Sequence, residues 1–128
     1  MVSKITKGIK ITVYAYFVGR RMQLNSLVNF FNYEITIENT TNDEVQLLQR
    51  YWLIKDVLNN DEEVQGEGVI GEKPVLQPNE SFTYTSGSLI HGDLGSMQGY
   101  FTFLNLETSA LFHVKIPLFK LVIPSIKN

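Results

Sequence analysis

The sequence predicts an all-β fold, a two-sheet antiparallel sandwich of about seven strands, and three observations carry that expectation. Apolar residues recur at period two along several stretches of the chain. Clusters of Asn, Asp, Gly, Ser and Pro separate those stretches at regular intervals. The length of 128 residues, 44% apolar and 19% charged, suits one domain that buries roughly two-thirds of its unfolded surface without disulfide or metal staples. Short strands evenly spaced by turns are the pattern of immunoglobulin-like and fibronectin type III-like sandwiches. A single domain over residues 1–128 is therefore expected, with no internal repeat and no low-complexity tract.

Residues 9–18 place Ile9, Ile11, Val13, Ala15 and Phe17 on one face and Lys10, Thr12 and Tyr14 on the other, a half-buried strand. Residues 19–28 are ambiguous, because Leu24, Leu27, Val28 and Phe31 also fit a helical turn. Alternation returns with Phe31, Tyr33, Ile35 and Ile37, and stops at the turn formers Asn39 to Asp43. Val45 to Leu58 carries apolar residues at both periods. Its aromatic and β-branched centre and turn-rich flanks favour a strand buried on both faces. Glu62 to Ile70 reads as a weaker strand interrupted by glycine, and Pro74 to Asn79 as a connector. Ser81 to Ser86 alternates with Phe82 and Tyr84 inward, and Gly87 to Gly95 reads as a polar loop. Met97 to Leu104 and Leu111 to Ile116 form a hairpin, after which Pro117 and Pro124 restrict the chain to an edge or extended segment.

Composition excludes several function classes. With no cysteine, disulfides, thiolate metal sites, iron–sulfur clusters and cysteine nucleophiles are absent. Eleven Lys and Arg against 13 Asp and Glu leave a net charge of −2, which does not attract a phosphate backbone, so no nucleic-acid partner is expected. No stretch of about twenty apolar residues could span a membrane, so no membrane insertion is expected. The lysines interleaved through Met1 to Gly8 are unlike a secretory signal, which favours a cytoplasmic chain.

Gly66-Glu67-Gly68-Val69-Ile70-Gly71 matches G-x-G-x-x-G literally. A dinucleotide site requires an apolar strand before those glycines and a helix after them. The approach here is acidic, Asp61-Glu62-Glu63, and Pro74 opposes a helix beyond. The glycines therefore read as a bulge or close strand packing. Asp61, Glu62, Glu63, Glu67 and Glu72 lack metal-loop spacing, and His91 and His113 stand far apart, so no metal ligand or cofactor is assigned. No serine sits in a G-x-S-x-G elbow, and no catalytic residue is assigned. Trp52 reads as core, with Arg50 on the same strand face.

Several segments closely resemble the ApaG family. They are Phe31 to Asn39, Val45 to Trp52, Gly66 to Leu76, Tyr84 to Gly87, Gly95 to Tyr100 and Phe112 to Phe119, in order over nearly the whole chain. Two departures stand out. Tyr51 lies in Arg50-Tyr51-Trp52 where the family usually has histidine, and Ser88 follows Ser86-Gly87 where it commonly has cysteine, so no metal role of either is carried over. The resemblance implies a fibronectin type III-like sandwich, an association by name with cobalt resistance and magnesium efflux, and, from domains in eukaryotic F-box adaptors and a polymerase-delta-interacting protein, protein contact. The expected function is a non-enzymatic protein-interaction module, with Arg50, Trp52, Gly66, Gly68, Gly71, Tyr84 and Met97 as candidate contacts for a protein partner. The alternative is a small-ligand protein taking a divalent cation or a pyrophosphate-bearing metabolite through Glu67, Glu72 and the glycine segment. Open strand edges also leave room for a homodimer.

Overall fold

The computed structural model describes residues 1–124. Among them there are nine strands and no helix: β1 (Val2–Thr6), β2 (Ile9–Gln23), β3 (Ser26–Asn39), β4 (Val45–Asp56), β5 (Asn59–Glu67), β6 (Val75–Leu76), β7 (Ser81–Ile90), β8 (Leu94–Asn105) and β9 (Leu111–Val122). One antiparallel sheet has the order β1-β2-β3-β7, the other β5-β4-β8-β9, with β6 paired to β4. They enclose a core that includes Ile9, Ile11, Ile35, Ile37, Phe101 and Phe103, all essentially without solvent exposure. This is the expected two-sheet sandwich, with nine strands in place of about seven.

The additional strands lie where local pattern is weak. β1 is mostly exposed and holds its place by pairing Val2–Thr6 against Ile9–Val13. β6 is two residues long and sits inside the proline-marked connector. Residues 19–28 contain no helical turn. β2 and β3 continue through them as a hairpin closed at Leu24-Asn25, whose φ values of 50° and 66° mark a two-residue turn of primed type. Gly87 to Ile90 belongs to β7, paired to β3 from Asn32↔Gly87 to Asn29↔Ile90, so the polar loop shrinks to the connection before β8. β4 is not buried on both faces: Val45, Leu47 and Trp52 face the core, while Gln49 and Lys55 are exposed. Its mixed periodicity comes from a register shift between Leu47 and Gln49 that inserts Leu48. β9 passes through Pro117 because it is an edge strand, and the β8–β9 register shifts there between Met97 and Gly99.

The two sides of the sandwich differ. On one side β9 packs against β1 and β2, and Lys115 N–H donates to Thr6 Oγ1 at 3.2 Å. On the other, β5 and β7 end their sheets, and the chain between Glu67 and Pro74 folds back on the end of β5. Asn39 at the end of β3 is fully buried and satisfied: its amide donates to Asp43 O and Leu76 O and its oxygen accepts from Thr41 N–H and Oγ1–H.

Candidate functional site

Arg50 is the centre from which a site builds. The bulge at Leu48 restores alternation so that Arg50 and Trp52 share the inner face of β4. Trp52 is 3% exposed and packs edge-on against Tyr33, Phe101 and Phe119, with ring centroids at 5.4, 6.5 and 5.8 Å. Arg50 lies nearer the open side and is half-buried. Its Nη1 donates to the carbonyls of Glu67 and Gly68, each at 3.0 Å. Among the described residues its Nη2 and Nε make no hydrogen bond and no carboxylate pairs with it.

The first glycine of the segment leaves room for that side chain. Gly66 is the register partner of Arg50, and a Cβ there would lie 2.7 Å from Arg50 Nη2. Gly68, at φ +64°, brings the backbone so close that a Cβ would meet Glu72 O at 2.2 Å. Val69 and Glu72 exchange both backbone hydrogen bonds at 2.8 Å across Ile70-Gly71, and Gly68 N–H donates to Leu48 O. The G-x-G-x-x-G match is thus strand packing followed by a tight turn, with the Gly68 and Val69 amides spent on Leu48 O and Glu72 O. No helix follows Gly71 among the described residues. Ile70 occupies the turn at φ +43°, a costly conformation for a β-branched residue, and is 54% exposed.

Together these residues line a cavity of about 220 Å³ opening between the sheets, its walls supplied by Tyr33, Trp52, Tyr84, Ser86, Arg50 and the Val69–Gly71 turn. Burial pushes the Tyr33 phenol up, partly offset by Ser86 and by the Arg50 charge. Burial pushes Tyr84 up much further, with Tyr33 adding to it and Arg50 opposing. Both phenols stay neutral hydrogen-bonding groups throughout the physiological range.

Of the sequence-derived contacts, Arg50, Trp52, Gly71 and Tyr84 line the cavity, and Gly66 and Gly68 shape the chain around Arg50. Met97 does not belong there. It is 1% exposed in the core, and its neighbouring glycines reflect close strand packing rather than a contact surface. Glu67 is paired with Lys73 Nζ, which holds its carboxyl below the usual range, and Glu72 is exposed. No group of three or more His, Cys, Asp or Glu converges among the described residues. Tyr33 and Ser86 escaped the sequence reading. Tyr33 looks like any alternating core residue, and only the pairing Tyr33↔Ser86 brings the two beside Arg50.

The histidines lie elsewhere. His91 Nδ1 is 3.6 Å from Asp56 Oδ2, and His113 stacks on Tyr100 at 4.3 Å. A larger basin of about 540 Å³ lies on the outer face of the second sheet, beside Tyr51, Leu53, Tyr100 and Lys115. It collects none of the predicted contacts. Among the described residues no helix is long and apolar enough to cross a membrane.

The structure is an all-β sandwich with an arginine-bearing opening between its two antiparallel sheets. The chain belongs to the ApaG family: the model of the ApaG domain matches residues 20–105. The protein ApaG of Sodalis glossinidius (strain morsitans) is 42% identical over 118 residues, 92% of this chain and 94% of that one. The crystal structure of an ApaA protein from Bordetella pertussis superimposes with a TM-score of 0.82 at 30% identity, covering 97% of both chains. An X-ray structure of a structural-genomics target reaches 0.87 at 30% identity over 94% of this chain and 90% of that one.

Proposed function

We propose that this domain is a non-enzymatic protein-interaction module whose side opening receives a carboxylate-bearing side chain from an extended partner segment lying along β7. The unpaired donors of Arg50 carry this reading. A half-buried arginine whose Nη2 and Nε have no protein partner among the described residues has donors to offer, and a planar carboxylate matches its fork. The cavity walls offer apolar contact from Trp52 and Val69, and the unpaired edge of β7 offers backbone bonding to an added strand. Ile70, strained and exposed at the lip, supports the same reading, since strain retained at an exposed position points to a contact.

A photo-crosslinking residue at position 70, compared with one at Leu106 in the β8–β9 loop, tests it in cells of the native source. One protein is expected to crosslink from position 70 and not from 106, and to be lost in Arg50→Ala with the fold intact. Equal capture from both positions, or capture indifferent to Arg50→Ala, refutes the proposal. Trp52→Ala is a poor probe, because emptying a buried indole costs about 3–5 kcal/mol and endangers the fold.

The small-ligand reading keeps one supporting observation, the same open guanidinium, which would also accept a phosphate. Its cation half has less support, since Glu67 is already held by Lys73. Calorimetry with pyrophosphate, with and without magnesium or cobalt, separates the readings. Saturable heat lost in Arg50→Ala or Glu72→Gln favours the small ligand, and no heat retires it. Any link to cation homeostasis would then run through the protein partner.

A further inference from the structure

The β2–β3 hairpin outruns its sheet. β7 pairs with β3 only as far as Asn29↔Ile90, and β1 pairs with β2 only as far as Val13, so residues 19–28 form a two-stranded arm with no third strand among the described residues. Its base is anchored. Asn29 is buried, donates to Gly92 O at 2.6 Å and accepts from Arg20 Nε at 2.9 Å. Among the polar Gln23, Asn25 and Ser26, its tip bares three apolar side chains: Leu24 is 93% exposed, Met22 63% and Leu27 53%, with Met22 and Leu27 paired across the strands. Leu24 also sits at φ +50°, where Asn or Gly would be at ease, so the tip carries its leucine at a conformational cost.

We infer that this arm docks on an anionic lipid surface, dipping Leu24, Met22 and Leu27 below the headgroups. Charge and depth select that occupant. Residues 18–28 contain Arg20 and Arg21 and no acid, although the protein as a whole is net negative. At about 3.3 Å per strand residue, the arginines stand roughly 10 Å behind the apex. That is the depth at which an interfacial apolar element places its cationic flank against headgroup phosphates. Arg21 is held over the Phe30 ring at 4.4 Å, and Arg20, besides its bond to Asn29, pairs through Nη2 with the exposed Asp93 at 3.2 Å, a pair that salt screens readily. A convex tip fits a fluid surface without a shaped receptor. A second copy is disfavoured: the basin on the outer face of the second sheet is flanked by Lys4 and Lys115, which would repel the arm's arginines.

The absence of cysteine makes the test direct. Leu24→Cys in the full chain, labelled with an environment-sensitive fluorophore, is mixed with phosphatidylcholine vesicles containing 30% phosphatidylserine or none. Blue-shifted, brighter emission is expected with the anionic vesicles alone, and no change from the same label at Thr108→Cys in the β8–β9 loop. Arg20→Gln and Arg21→Gln should each weaken vesicle affinity about fivefold, and Asp93→Asn should strengthen it. No response to anionic vesicles, or an equal response at position 108, overturns the inference. A response produced instead by unlabelled protein, or by a soluble partner in the absence of lipid, also overturns it.

Discussion

Asp56 shows how one side chain fastens parts of the chain that are distant in sequence. Its carboxylate, 8% exposed, accepts from the backbone N–H of His91 at 2.6 Å, Gly92 at 2.9 Å and Leu58 at 3.0 Å, tying the β4–β5 hairpin to the β7–β8 connection. Burial alone would raise its pKa, but the three amides and the nearby His91 ring outweigh it and hold the carboxyl below its ordinary 3.8. A pKa depressed by folding contributes stability above the unfolded value that is lost as pH falls through the folded one. Asp56→Asn is therefore expected to cost about 1–3 kcal/mol at neutral pH, the penalty for weakened buried acceptors. Urea unfolding from pH 6 to 2.5 should show the two proteins converging below about pH 4. The glycines give a second contrast at this scale. Gly68→Ala meets both a left-handed backbone and Glu72 O at 2.2 Å, while Gly71→Ala meets only its φ of +78°. Losses of about 2–4 and about 1–2 kcal/mol are expected in the same assay, and equal losses would remove the close approach from the account.

Strands were legible where alternation was uninterrupted, as in Phe31 to Ile37, and illegible where the deciding contact was a pairing. Nothing local in Gly87-Ser88 favours a strand, yet these residues are held in β7 by Asn32 and Phe31 of β3. The turns were obscured for another reason. Leu24 and Ile70 are apolar residues where primed turns ordinarily take Asn, Asp or Gly, so both read as continuing pattern rather than as corners. The grouping of Arg50 with Trp52 could be read from period two alone. The assignment of Met97 to that surface could not survive, because a methionine near glycines looks the same in a core as at a contact. The strain at Ile70 has a measurable consequence. Ile70→Asn is expected to stabilise the fold by about 0.5–1 kcal/mol, as replacing a residue unsuited to its turn does, while reducing partner capture. Urea unfolding and the crosslinking assay read the two effects separately. If stability falls, the turn does not carry the strain assigned to it.

At the scale of the whole molecule the sandwich is closed on one side and propped on the other, and that asymmetry places the proposed contact beside the weakest point of the fold. β9 packs directly against β1 and β2, whereas β5 is bonded only along β4, and the opening beside it is spanned by the Arg50 guanidinium and the 67–74 fold-back. β5 is also the least buried long strand, with Val64 and Gly66 its only partly buried residues. Local opening draws on regions with few buried apolar contacts and exposed backbone bonds. Amide exchange is therefore expected to be fastest in β5 and the Gly68–Glu72 turn, slower in β9, and slowest in β3 and β8, which are paired on both flanks. Arg50→Ala should accelerate exchange at Gly68 and Glu72 without changing β3 or β8, because it removes the prop and leaves the core intact. An occupant of the opening should do the reverse, slowing the same amides by supplying the carboxylate that Arg50 lacks. Uniform protection across β5 and β8 would mean the side is as firmly closed as the β1–β9 side, and an entering side chain would then have no path to the guanidinium.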